Sequence, residues 1–207
     1  MKKKQQKKPQ KKKPTNENKI VFIHIPKTGG GSVQQALRQA GFLGGKASHS
    51  TYMSYKKRPK IVAVTLRNPY DRFLSMYYWT MKKPKLYKSK IDINSITFEK
   101  FVLEDEYKNI INSYQYYWKP LTHWITDNTQ VDGNINIDHL LRFENLQNDF
   151  DEMCEKYKIK TKLPHLNENQ KFPSNKRPSL DKVLTDDVKA KICEVWGTDF
   201  EIFDYEK

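Results

Sequence analysis

Twice in this chain an unbroken apolar run stops at a proline-marked tight turn and opens into an amphipathic helix. In "KIVFIHI", residues 19–25, β-branched and aromatic side chains run to Pro26. The turn "KTGGGS" follows, and then Val33, Ala36, Leu37 and Ala40 at i, i+3, i+4 and i+7, with Gly41 as a left-handed stop. The pattern returns at "KIVAVTLRNPYDRFLSMYYW". The spacing there predicts a strand over Ile61 to Leu66, a turn at Asn68 and Pro69, and a helix with Tyr70, Phe73, Leu74, Tyr77 and Tyr78 on one face. Runs that do not alternate with polar residues belong to strands covered on both faces, and such strands sit in parallel sheets. The expected fold class is therefore α/β, a central parallel β-sheet flanked by helices. Ser32 stands where an N-cap belongs.

The rest of the chain fits one domain over residues 19–207. Residues 42–58 are rich in glycine, serine and lysine and predict little beyond a turn or a short helix. "TFEKFVL" (97–103) begins a helix. "INIDHLLRF" (135–143) reads as a strand feeding a helix with Leu146, Phe150, Met153 and Tyr157 inward. A loop with three prolines spans 163–179. Thr185 then caps a last helix with Asp186 and Asp187 in its first turn, Val188, Ile192 and Val195 on one face, and Gly197 after it. Of the net charge of +14, most falls in the first nineteen residues, which carry nine lysines and one glutamate. Residues 1–18 predict a disordered lysine-rich tail able to contact polyanions. No RNA-binding signature or zinc knuckle accompanies it, so no specific nucleic-acid partner is expected. Cys154 and Cys193 lie far apart in helical patterns without metal-ligand spacing, which predicts free thiols in a reducing compartment and no metal site. No stretch has the roughly 18 apolar residues of a membrane span, nor does the N-terminus carry the apolar segment of a secretory signal.

A glycine-rich turn between a buried strand and a helix aims backbone N–H groups and the positive helix end at one point, where a phosphate or sulfate fits. The nucleoside triphosphate loop places its lysine after the glycines. Here Lys27 precedes Gly29, Gly30 and Gly31, so the lysine reaches the anion from the strand side.

"HIPKTGGGS" resembles the 5′-phosphosulfate loop of the sulfotransferases, particularly the carbohydrate (heparan/chondroitin-type) sulfotransferases, and "LRNPYDRFLS" resembles that family's 3′-phosphate motif. "LLRFENLQNDF", "LPHLN" and "TDFEIFDY" are similar to landmarks of its C-terminal half, so the resemblance covers about residues 19 to 205. It implies a P-loop-like sulfotransferase fold and a donor, 3′-phosphoadenosine 5′-phosphosulfate (PAPS), released as PAP. Carried over, Lys27, Thr28, Gly29, Gly30, Gly31 and Ser32 hold the 5′-phosphosulfate, while Arg67 and Ser75 hold the 3′-phosphate. Lys27 also stabilises the charge that grows on the leaving oxygen. Gly31 stands where the family commonly has threonine, which removes one hydroxyl contact. The membrane anchor and stem of secretory members are lacking, which implies a cytoplasmic enzyme, bacterial or viral. The acceptor implied is a hydroxyl, that of a saccharide first.

The acceptor hydroxyl needs a base. His49, in the polar loop "GGKASHSTYMSY", sits where the resemblance places one; His165 in "LPHLN", His123 beside Trp124, or a carboxylate among residues 92–106 are the alternatives. His24 and His139 fall inside strand patterns and read as core or edge residues. Lys176 and Arg177 fit the 3′-phosphate, an anionic acceptor, or a solvated charge pair equally. Glu144 in "RFENL" reads as a loop lock. Tyr114, Tyr116, Tyr117, Trp118 and Trp124 form an aromatic cluster suited to core packing or to the faces of sugar rings. Two other functions remain open on these residues: phosphoryl transfer on the same architecture, and simple polyanion binding through the lysine tail.

Overall fold

The computed structural model describes residues 19–45, 49–86, 95–125, 137–164 and 179–207. In chain order the elements are β1 (Ile20–Ile23), α1 (Gly30–Gln39), β2 (Leu43–Gly44), β3 (Val62–Leu66), α2 (Pro69–Met81), α3 (Phe98–Leu103), α4 (Asn112–Gln115), α5 (Thr122–Ile125), β4 (His139–Arg142), α6 (Leu146–Lys156) and α7 (Asp186–Ile202), with short 3-10 turns between them. The strands form one parallel sheet in the order β2-β1-β3-β4.

Both faces of the sheet are covered, which is why β1 and β3 read as unbroken apolar runs. Ile20, Phe22, Ala63 and Leu141 pack with Val33, Ala36 and Leu37 of α1 and Phe150 and Met153 of α6. Val21, Ile23, Val62, Val64 and Leu66 pack on the other side with Leu121, Trp124, Ile125 and Phe203. A second apolar body joins α2, α3 and α7 around Phe73, Phe101, Trp118 and Trp196. Among the described residues no helix is long and apolar enough to cross a membrane. Cys154 and Cys193 are free thiols.

Three local expectations need correction. Ser32 does not cap α1: the N-cap is Gly29, at φ 81°, and Ser32 sits in the first helical turn with its N–H directed to the Gly29 carbonyl at 3.2 Å. The turn needs a left-handed residue to swing from strand to helix, and glycine enters that region without strain. The 42–58 stretch holds more than a turn: Leu43 and Gly44 extend the sheet beside Ile20 and Val21. Gly197 does not follow the last helix, which runs on to Ile202 through a kink at Trp196 (φ −127°, ψ 28°).

At its other end α1 stops as expected. Gly41 N–H reaches the Arg38 carbonyl and Phe42 N–H the Leu37 carbonyl, a paired C-terminal closure with Gly41 at φ 80°. Asn68 caps α2, its side chain accepting from the Tyr70 and Asp71 amides, with Pro69 at the first helical position.

The crossover through α1 lands β2 on one side of β1, while the next strand in sequence, β3, lies on the other. The segments leaving β1 and β3 therefore part above the carboxyl ends of the sheet, the switch point at which open α/β sheets bind their ligands. Both turns singled out in the sequence lie there.

Candidate functional site

The turn after β1 is tied down through its carbonyls. His24 O accepts from His49 Nδ1 at 3.0 Å, Ile25 O from the Thr28 hydroxyl at 2.9 Å, Pro26 O from Arg72 Nε at 3.1 Å, and Lys27 O from Arg67 Nη1 at 3.2 Å. Four consecutive carbonyls are thus bound by four different side chains, drawn from the 49 loop, the turn itself, α2 and the end of β3. The first N–H groups of a helix have no intrahelical partner. With the carbonyls held, the turn is oriented to present the N–H groups at the start of α1, and Gly29 and Lys27 both adopt positive φ to make it (81° and 67°).

The glycines are required by contact as well as by φ. A Cβ on Gly29 would lie 2.7 Å from Phe143 Cδ2, and one on Gly30 would lie 2.7 Å from His24 Cδ2 and 2.8 Å from Thr65 Oγ1. Gly31 lies in the first turn of α1, half-exposed. Thr28 is fully buried. Its hydroxyl donates to Ile25 O and, 2.6 Å from Thr65 Oγ1, accepts from that residue, so it is directed into the fold.

Arg67 and Ser75 are brought together, Arg67 Nη1 lying 3.4 Å from Ser75 Oγ. Asp71 fixes the guanidinium through Nε at 2.7 Å, and the Phe143 ring lies against it, 4.0 Å from centroid to Cζ. Bonded also to Lys27 O, Arg67 couples the two sequence motifs directly. Glu144 behaves as a lock: it accepts from Asn68 N at 2.6 Å and from the Tyr205 hydroxyl at 3.3 Å, joining the cap of α2 to the C-terminal segment.

His49, at φ 65°, is bonded to the start of the turn through His24 O. A carbonyl oxygen can only accept, so the bond to His24 O puts the neutral ring's proton on Nδ1 and leaves the lone pair on Nε2. Burial lowers its pKa from the ordinary 6.5, opposed by that hydrogen bond. The ring packs 4.6 Å from His24, meets Tyr117 edge-on at 5.0 Å and lies 6.3 Å from Trp124. His24 is pressed down further, to about 4, by burial first, then by the charge of His49, with a hydrogen bond to the Gln34 side chain opposing. Its Nδ1 is buried without a hydrogen-bond partner among the described residues.

The other histidines are elsewhere. His123 is exposed on α5, and His139 on β4 is bonded to the Tyr157 hydroxyl at 2.9 Å. His165, Lys176 and Arg177 lie outside the described residues, as does part of 92–106. The aromatic cluster divides: Trp118 and Trp124 are buried, whereas Tyr114 and Tyr117 are half-exposed and stacked at 5.8 Å and 17°, and Tyr116 is 38% exposed. No group of three or more potential metal ligands occurs among the described residues.

Sequence reasoning missed Arg72 and Asp199. Arg72 is fully buried on α2 and Asp199 fully buried on α7. A charged residue between Tyr70 and Phe73 on an inward face was the available signal.

Comparison with known proteins gives one match: the model of the sulfotransferase family fits residues 14–206. No curated protein and no solved structure matches the chain.

Proposed function

The chain belongs to the sulfotransferase family, and from that premise we propose that it moves the sulfuryl group of PAPS to the hydroxyl of a saccharide, with Lys27 on the donor side and His49 as the base. The observation that carries this reading is the tethering of the four carbonyls at His24, Ile25, Pro26 and Lys27. With those four carbonyls engaged, the turn is left to offer its N–H groups, which suits a sulfate or phosphate group.

The residues fit the donor on a further count. Arg67, held by Asp71 and beside Ser75, supplies a second cationic centre tied to the first turn, as a nucleotide charged at both ends requires. PAPS supplies the sulfuryl group and a good leaving phosphate. Lys27 and the amides of Gly29 to Gly31 counter the charge that develops on the donor side, and His49 Nε2 takes the proton of the attacking hydroxyl. Lys176 and Arg177 are assigned to the 3′-phosphate or an anionic acceptor.

Support for a saccharide comes from the half-exposed Tyr114, Tyr116 and Tyr117, whose rings lie on the His49 side. An open ledge of several rings suits a chain of sugars better than a single phenol, which is bound best where most of its surface is enclosed.

Calorimetry with PAP, and with ATP plus magnesium, tests the donor. PAP is expected to bind and ATP to compete weakly; preference for magnesium–ATP would instead make the protein a phosphoryl-transfer enzyme. Transfer from labelled PAPS to unsulfated chondroitin and heparosan oligosaccharides, phenols and small alcohols then identifies the acceptor.

A further inference from the structure

We propose that Arg72, together with Asp199, is a positioning residue that fixes the distance between the donor turn and the wall of the base. The inference rests on the sulfuryl-transfer reading above. Arg72 Nε donates to Pro26 O at 3.1 Å, one residue before Lys27, while Nη2 donates to Tyr117 O at 3.1 Å and Lys119 O at 2.9 Å. One planar guanidinium therefore bridges the segment that carries Lys27 and the segment whose Tyr117 ring borders His49. Asp199 holds the same second segment by its amides, accepting from Leu121 N at 2.6 Å and Thr122 N at 3.0 Å. Residues 117–122 are gripped through carbonyls from α2 and through amides from α7.

The pair is a costly way to fill a core. Both side chains are fully buried, Arg72 lies against the Trp196 ring at 4.6 Å, and its Nη1 has no hydrogen-bond partner among the described residues. Burial lowers the Arg72 pKa to about 10, so the side chain stays charged at neutral pH. Buried charged groups are often replaceable by apolar side chains with no loss of stability, whereas no apolar side chain can hold three carbonyls of two segments at fixed separation. What the pair provides is register between two loops, and a misplacement of about 1 Å at a reacting centre can cost roughly a hundredfold in rate.

The test compares Arg72→Lys, Arg72→Ala and Asp199→Asn with the wild type, using labelled PAPS and an unsulfated glycosaminoglycan oligosaccharide. Lysine keeps the charge but cannot span both segments. Arg72→Lys and Asp199→Asn should each lose about thirtyfold or more in kcat. Arg72→Lys also releases the Pro26 carbonyl of the donor turn and should weaken PAP, by less than it lowers kcat; Asp199→Asn touches only the amides of Leu121 and Thr122 and should keep PAP Kd and acceptor KM within about threefold, because misalignment acts on the transition state. In Arg72→Ala, millimolar guanidinium should restore part of kcat while leaving the wild type unaffected. Turnover by Arg72→Lys within threefold of wild type overturns the proposal, and so does, in Asp199→Asn, a kcat loss matched by an equal loss of PAP affinity. Failure of all three variants to fold in the presence of PAP overturns it too, since the pair would then be a brace with no separable effect on chemistry. A wild type that transfers nothing from PAPS sinks the parent reading and this one together; an active wild type beside an active Arg72→Lys sinks this one alone.

Discussion

At the scale of single residues, two side chains divide the proposed chemistry and titrate or substitute differently. Lys27→Ala should lower turnover by two or more orders of magnitude while weakening PAP binding only modestly, since charge on the leaving oxygen is greatest in the transition state; turnover and calorimetry on one preparation check the split. His49 must be neutral to accept a proton. Its pKa is lowered by burial, so the rate should climb with pH along a limb centred below 6.5 and be level through neutrality, and His49→Ala should abolish transfer with PAP still bound. His24 makes the converse prediction about stability. Its folded pKa of about 4 lies below the ordinary 6.5, so between those values the unfolded chain takes up a proton that the folded chain refuses. Stability therefore falls as pH drops from 6.5 toward 4 and the penalty is complete below 4, amounting to about 3 kcal/mol at most. Denaturant titrations at pH 7 and pH 4.5 should show a smaller acid loss for His24→Asn than for the wild type.

At the scale of elements, the glycine turn and the helix behind it separate two kinds of glycine. Gly30 opens α1 against His24, Thr65 and Phe22, and Gly30→Ala should cost about 1–3 kcal/mol by overpacking and should weaken PAP binding as the turn shifts. Gly197 lies inside α7 with nothing within 4 Å of a Cβ position, and Gly197→Ala should stabilise by roughly 0.5–1 kcal/mol through the unfolded chain. Chemical denaturation of the two variants reads both signs. The strand–turn–helix units were legible because their signals are local: the apolar runs of β1 and β3, Pro69 after the cap Asn68, and Gly41 after α1. β2 was not legible, because two residues carry no periodicity and Leu43–Gly44 is a strand only by pairing with β1. The Ser32 cap failed for a related reason: the hydroxyl is in the right composition, but the backbone needed its left-handed residue three positions earlier.

At the scale of the molecule, the site is placed by topology, and that placement decides what the rest of the charge can do. Lys27, Arg67 and Ser75 come from motifs about forty residues apart, and the sequence could name them; their meeting depends on β1 and β3 being neighbours in a parallel sheet. The roles of Arg72 and Asp199 were beyond reach of sequence for the same reason, since each acts through partners 45 to 78 positions away; Glu144 could be read as a lock, but its closing on Asn68, 76 positions away, could not. Among the described residues, the site assembled this way draws on residues 24–75 and on segments from 117 onward. Removing residues 1–18 takes away half of the +14 net charge, yet exposed charges act over only about 8 Å at physiological ionic strength. The truncated chain should thus bind PAP within about threefold of the full chain at that ionic strength. It should also elute from an anionic heparin matrix at distinctly lower salt, because each lost lysine is a lost counterion exchange. Loss of PAP binding on truncation would move the donor site to the tail and undo the switch-point assignment, whereas unchanged heparin elution would show that the polyanion contact belongs to the folded part.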